Sequence, residues 1–183
     1  MVQNETKVLL HACCAVCLGH SIQKLLEKDY NPIVFFFNPN IFPLSEYSRR
    51  KDELIQFCKA KNYQYIVDED ESDILWREFI KGYEHEPEKG QRCNLCFEYR
   101  LNKTLLKAKE LGIKQITTTL TISPHKVSKN IFEVGRNICK NSDVEFLEFD
   151  FKKENGFLKT NQIAQENGLY RQSYCGSEFS LKK

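Results

Sequence analysis

A chain of 183 residues, 41% of them hydrophobic, can bury the core of one domain and does not need disulfides to fold. Its formal net charge is +2, no segment approaches about 18 uninterrupted apolar residues, and it opens without the basic-then-apolar pattern of a secretory signal. These features argue against a membrane span and against export, so the expected location is the cytoplasm. Eight cysteines in that reducing setting read as metal ligands or redox groups.

Along the chain, short apolar runs alternate with amphipathic stretches, which predicts strands and helices in turn and a mainly parallel sheet. Val8-Leu9-Leu10 reads as a first strand, followed by a helix with Leu18, Ile22, Leu25 and Leu26 on one face. Ile33 to Phe37 reads as a buried second strand that ends at Asn38-Pro39-Asn40. The next helix starts near Ser45 and turns Leu54, Phe57 and Cys58 inward, then Tyr65-Ile66-Val67 gives a third strand and 68–73 a loop. A helical stripe of Phe97, Leu101, Leu105, Ala108 and Leu111 ends at Gly112, a fitting C-terminal cap. Ile116 to Leu120 is β-branched and reads as a fourth strand. Val127, Ile131, Val134 and Ile138 mark another helix, and Val144 to Phe151 a last strand before a polar C-terminal segment. No repeat or linker interrupts the pattern, so residues 1–183 are expected to form one domain.

The cysteines fall in two tight groups. His11-Ala12-Cys13-Cys14-Ala15-Val16-Cys17 follows the first strand, and Arg92-Cys93-Asn94-Leu95-Cys96 opens a later helix. Ligands of open α/β sheets bind outside the carboxyl ends of the strands, and helix starts favour thiolates. Both groups are thus expected at one crevice. Four thiolates from two segments suit an iron–sulfur cluster or a zinc ion. Adjacent cysteines fit awkwardly on one tetrahedral zinc, whereas neighbouring thiolates can each take a different iron of a cluster. Cys58 and Cys139 sit beside apolar helix positions and read as packing residues. His11 is either a proton donor or an ordinary packed histidine.

Charge is unevenly spread: ten acids against four bases from Tyr63 to Glu98, then nine bases against two acids from Tyr99 to Lys140. The basic stretch either meets phosphates or is a set of solvated helix faces. Arg92, Arg100 and Arg171 offer phosphate contacts or surface ion pairs.

Several ordered motifs carry a resemblance. They are Leu9-Leu10-His11-Ala12-Cys13-Cys14-Ala15-Val16-Cys17, Phe37-Asn38-Pro39-Asn40-Ile41, Glu46-Tyr47 with Arg49-Arg50, and Arg92 to Cys96 leading to Tyr99-Arg100-Leu101. Thr117-Thr118-Thr119-Leu120 with Ser123-Pro124 and Tyr170-Arg171-Gln172-Ser173-Tyr174-Cys175-Gly176 complete the set. Across nearly its whole length the chain resembles the epoxyqueuosine reductases of the QueH type.

That resemblance implies a three-layer α/β/α fold of the adenine nucleotide alpha hydrolase-like kind. The first strand ends in His-Ala-Cys-Cys where an ATP pyrophosphatase domain carries a Ser-Gly-Gly phosphate loop, which argues against ATP use. It also implies reduction of epoxyqueuosine to queuosine at the wobble position of tRNA, the last step of queuosine biosynthesis. The implied cofactors are a 4Fe–4S cluster on Cys13, Cys14, Cys93 and Cys96 and, beside it, a separately held iron. The implied partners are a tRNA carrying epoxyqueuosine and an electron donor of unspecified identity. Cys17 and Cys175 remain as catalytic or iron-binding thiols, with Asp68 a candidate third ligand and His11 a candidate proton donor. Tyr47, Tyr99 and Tyr170 are candidates to stack on a splayed base, and Arg100 and Arg171 to meet RNA. The family usually has a second cysteine at the position of Ser177, so a disulfide between those two positions is closed to this chain, and Cys175 is left to ligate the second iron or to pair with Cys17. A zinc-stabilised RNA-binding module and a metal-free thiol oxidoreductase using Cys93 and Cys96 are the rival readings.

Overall fold

A computed structural model of the chain describes residues 6–69 and 73–181. Five strands, β1 (Thr6–His11), β2 (Tyr30–Phe36), β3 (Tyr65–Val67), β4 (Gln115–Thr118) and β5 (Glu145–Phe146), form one wholly parallel sheet in the order β3-β2-β1-β4-β5. Each residue of β1 is buried from Val8 onward, because both faces of the strand are covered. Leu9, Phe35 and Ile116 pack with Leu101, Leu105 and Ala108 of α4 (Gln91–Glu110) and Ile131 of α5 (Ser128–Cys139). Val8, Leu10, Val34 and Phe36 pack with Leu18, Ile22 and Leu25 of α1 (Ala15–Leu26) and Leu54 and Phe57 of α2 (Leu44–Ala60). The result is the expected α/β/α layering.

The order of the strands reverses between β1 and β4, where Leu9 pairs with Ile116 and His11 with Thr118. Connections leave these two strands in opposite directions, which opens a crevice at their carboxyl ends. Cys13 and Cys14 follow β1 directly into that crevice, and Thr119 follows β4.

Several expectations are corrected. Leu26, Leu111 and Val127 are exposed rather than on the buried stripes. The fourth strand stops at Thr118, since the Thr118 hydroxyl accepts the Leu120 N–H and turns Thr119–Ile122 into a 3₁₀ turn. The expected last strand shrinks to Glu145–Phe146. Beyond it the chain is tied by threonine side chains, with Thr117 Oγ1 donating to the Leu147 carbonyl and Thr121 Oγ1 to that of Phe149. Asp73, expected in a loop, opens α3 (Asp73–Phe79), while residues 70–72 of that loop lie outside the described residues.

A helix was also missed in the polar C-terminal stretch. α6 (Gly156–Glu166) lies against α1, with Thr160 Oγ1 donating to the Val16 carbonyl at 2.7 Å and accepting the His20 N–H. Its polar composition hides it, but Gly19 lets Ile163 approach α1 closely. Among the described residues, no helix is long and apolar enough to cross a membrane.

At the start of α6, a Cβ on Gly156 would stand 1.7 Å from the Phe151 carbonyl oxygen, a backbone atom that cannot swing aside. Gly156→Ala is therefore expected to cost about 1–3 kcal/mol and lower the thermal midpoint by several degrees. A scan unchanged from the parent protein would show that this approach is not close.

Candidate metal centre

Cys14 is the N-cap of α1. Its sulfur accepts the Cys17 N–H at 3.4 Å, where a serine or aspartate oxygen ordinarily sits. A cap bond to that position folds Cys17 back over Cys14, and Cys13 precedes the cap. The sulfurs of Cys13, Cys14 and Cys17 consequently lie within 4.8 Å of one another. Hydrogen bonds from Cys14 and Cys17 pull the Cys13 thiol well below its ordinary range. The Cys13 contact pushes Cys14 up to about 12, the Cys13 and Cys14 contacts push Cys17 well up, and burial adds to both.

The start of α4 faces this group. Cys93 sulfur accepts the Lys89 N–H at 3.2 Å, and Cys96 lies one turn further on, buried, its thiol raised chiefly by burial. The segment 170–181 closes the third side. Arg50, buried in α2, pairs with Glu46 at 2.6 Å and donates to the carbonyls of Tyr174 and Cys175 at 3.2 and 3.3 Å. The Phe42 N–H donates to the Gly176 carbonyl at 2.8 Å, and Gln172 Nε2 donates to Cys14 sulfur at 3.0 Å. Gly176 has φ +109, and a Cβ there would sit 3.0 Å from Arg50, so the Tyr-Cys-Gly turn requires its glycine.

Together these segments enclose a cleft of about 830 Å³ whose lining includes Cys13, Cys17, Cys93, Cys96 and Cys175, with Cys14 directly behind. Thiol donors on three sides, with N–H groups aimed at Cys14 and Cys93 sulfur, fit an iron–sulfur cluster.

A family model, "Epoxyqueuosine reductase QueH", matches residues 8–183. The chain belongs to the QueH family. Its curated relatives include the epoxyqueuosine reductase QueH of Acinetobacter baylyi, 37% identical over 98% of this chain and 82% of the relative. That of Streptococcus pyogenes is 39% identical over 96% of this chain and 70% of the relative. Among solved structures, the U34-tRNA thiolase NcsA from Methanococcus maripaludis, recorded with its 4Fe–4S cluster, aligns with a TM-score of 0.57. It is 13% identical, over 99% of this chain and 63% of that one. A predicted subunit of tRNA methyltransferase from Methanocaldococcus jannaschii gives 0.55 at 12% identity, over 96% and 98% of the two chains. At these identities the two structures speak for the fold alone.

On this QueH frame the expected residues divide. Cys13, Cys14, Cys93, Cys96 and Cys175 meet at the cleft, with Arg100 and exposed Arg171 in its lining. Arg100 is buried and donates to the Cys96 carbonyl at 3.1 Å and to Asn38 Oδ1 at 3.4 Å, so it holds α4 to the end of β2. Cys17, expected as a catalytic or second-iron thiol rather than a cluster ligand, lies with Cys13 and Cys14. Its signal was present in the sequence: Cys14-Ala15-Val16-Cys17 is itself a Cys-x-x-Cys pair at a helix start.

His11, the candidate proton donor, does not reach the cleft lining. It is fully buried beneath the cleft, outside its lining, with Nδ1 bonded to the Thr118 hydroxyl at 2.9 Å and Nε2 to the Phe37 carbonyl at 3.2 Å. Burial and Arg100 lower its pKa to about 4, keeping the ring neutral. Both nitrogens are spent on joining β1, β2 and β4. Asp68 lies outside the lining as well, near Lys103 and Lys107 of α4 at 3.6 and 4.0 Å.

The candidate tyrosines also lie outside the lining. Tyr47 packs on Phe36, with burial pushing its phenol up to about 12, and Tyr99 packs between Phe37 and Phe79. Tyr170 carries the Arg49 guanidinium 3.4 Å above its ring centre. None of the three lines the cleft. Its aromatic lining is Trp76, Phe97, Phe157 and Tyr174. Cys58 and Cys139 are buried away from it, raised to about 12 and 11 mainly by burial, as packing residues should be.

Arg50→Ala would leave Glu46 without its guanidinium and two strap carbonyls without a donor. A loss of about 3–5 kcal/mol is expected, with faster amide exchange confined first to 174–177. Unchanged exchange in that segment would show that Arg50 is not what holds it.

Proposed function

We propose that this chain reduces epoxyqueuosine to queuosine at the wobble position of tRNA, in the cytoplasm, with an iron–sulfur cluster held by its cleft cysteines. The observation that carries this reading is the convergence of six cysteines on one crevice at the carboxyl edge of the sheet. Family membership supplies the reaction. We assign the cluster to Cys13, Cys14, Cys93 and Cys96. Cys17 and Cys175 are then the thiols left for a separately held iron.

Converting the epoxide to an alkene breaks two C–O bonds, consumes two electrons and two protons, and releases water. When bound, the cluster supplies electrons singly, drawn from an external donor, and the second iron supplies Lewis acidity. The chain's own residues hold and shield the site. Gln172 and the Lys89 N–H donate to sulfur, and the Arg50-anchored strap closes the third wall. Ser180 Oγ donates to the Ser177 carbonyl at 2.7 Å, so the Cys175 thiol, 3.0 Å away, is the donor to Ser180.

RNA phosphates are met at the cleft itself. Its lining carries Lys89, Arg92, Arg100, Lys126 and Arg171 against the single acid Glu88. Lys89, Lys126 and Arg171 have no ion pair among the described residues.

The direct test is anaerobic turnover of tRNA carrying epoxyqueuosine with a chemical reductant, read by mass spectrometry of the released nucleoside. Loss of one oxygen is expected; a cluster-loaded protein that leaves the nucleoside intact contradicts the assignment. Binding should weaken steeply with salt, and Lys126→Ala or Arg171→Ala should each reduce the log–log salt slope by roughly 1. Unaltered slopes in both variants would move the RNA face elsewhere.

A further inference from the structure

One corner of the cleft is built from polar groups that the protein leaves unpaired. Trp76, Asn40 and Ser177 all line it and are only 2%, 3% and 8% exposed. Trp76 Nε1, Asn40 Oδ1 and Ser177 Oγ are buried and have no hydrogen-bond partner among the described residues. Gln172 Oε1, on a less buried residue of the same lining, is unpaired as well. Buried polar atoms are almost always paired, so orphans gathered in one cleft lining mark a place where a ligand supplies the partners.

Packing draws the three together. Trp76 of α3 lies against Cys96 and, with ring centres 6.2 Å apart, against Phe179. Ser177 is two residues before Phe179 in the strap, and the strap is bonded through Gly176 to Phe42, two residues after Asn40. The corner therefore adjoins a cluster-side cysteine.

We propose that Trp76, Asn40 and Ser177 form a subsite for the oxygen-bearing ring of the substrate. The indole N–H donates to an ether or hydroxyl oxygen, the Asn40 amide oxygen accepts from a hydroxyl or amine, and the Ser177 hydroxyl does either. This inference rests on the reading of the cleft as the place of epoxyqueuosine reduction. It also gives Ser177 a role of its own: at this position the chain presents a hydroxyl to the substrate instead of a second strap thiol. A site with buried hydrogen-bonding groups discriminates strongly, because a ligand lacking the matching atoms leaves those groups unpaired.

The test compares two labelled anticodon stem-loops binding to the cluster-loaded protein, one with epoxyqueuosine and one with guanosine at the wobble position. Trp76→Phe keeps the ring and removes the N–H; Ser177→Ala removes only the hydroxyl. Each is expected to weaken binding of the epoxide RNA about tenfold, leaving guanosine RNA binding and the cluster absorption spectrum unchanged. Retained discrimination in both variants, or equal loss for both RNAs, overturns the subsite. If the parent protein reduces the epoxide while the variants still discriminate, the subsite fails and the function stands. A parent protein that neither discriminates nor reduces removes both.

Discussion

Three sulfurs held within 4.8 Å at one helix start set the terms for the rest of the molecule. They cannot all be thiolates without a cation, because neighbouring negative charges in a buried site repel strongly. In the protein alone the conflict shows as opposed shifts, with Cys13 lowered by its neighbours' hydrogen bonds and Cys14 and Cys17 raised. Bound metal would resolve it differently, by taking up thiolates and releasing protons. The surrounding structure serves to keep the sulfurs in place: His11 and Thr118 pin the strand ends beneath, and Thr119 Oγ1 accepts the Cys13 N–H at 3.4 Å.

This arrangement also explains how a nucleotide-binding frame can lose its nucleotide. In such frames the backbone N–H groups where the first strand meets its helix face a phosphate. Here two of them are already committed, that of Cys17 to Cys14 sulfur and that of Cys13 to Thr119. The same crevice, at the same reversal of strand order, is lined by sulfur instead. The strap then adds what the sheet cannot, a third wall whose two carbonyls are fixed by the Arg50–Glu46 pair.

The sheet was legible because its strands are short, apolar and β-branched, and because turn residues bound them. Gly112, with φ +68, ends α4 as its position suggests. Two helices were not. α3 is brief and follows an acidic run, and α6 is polar because its contact with α1 depends on Gly19 and Thr160 rather than on an apolar stripe. The cysteine groups were readable from spacing and from their place at helix starts. What could not be read was which side chains the fold had already engaged. His11, Asp68, Lys103, Tyr47 and Tyr170 all belong to chemically plausible types, yet each is packed or paired away from the cleft. Trp76 carried no sequence signal and Asn40 only its place in the Asn38-Pro39-Asn40 motif, since an unpartnered buried atom exists only once the chain is folded.

The central claim is that the cleft cysteines, and not the packed ones, hold the iron. Iron and sulfide counts with absorption spectra after anaerobic reconstitution test it on single substitutions. Cys13→Ala, Cys14→Ala, Cys93→Ala and Cys96→Ala should each abolish stable cluster retention, whereas Cys58→Ala should keep both iron and colour. A cluster retained in Cys13→Ala and Cys96→Ala, or lost in Cys58→Ala, would contradict the account.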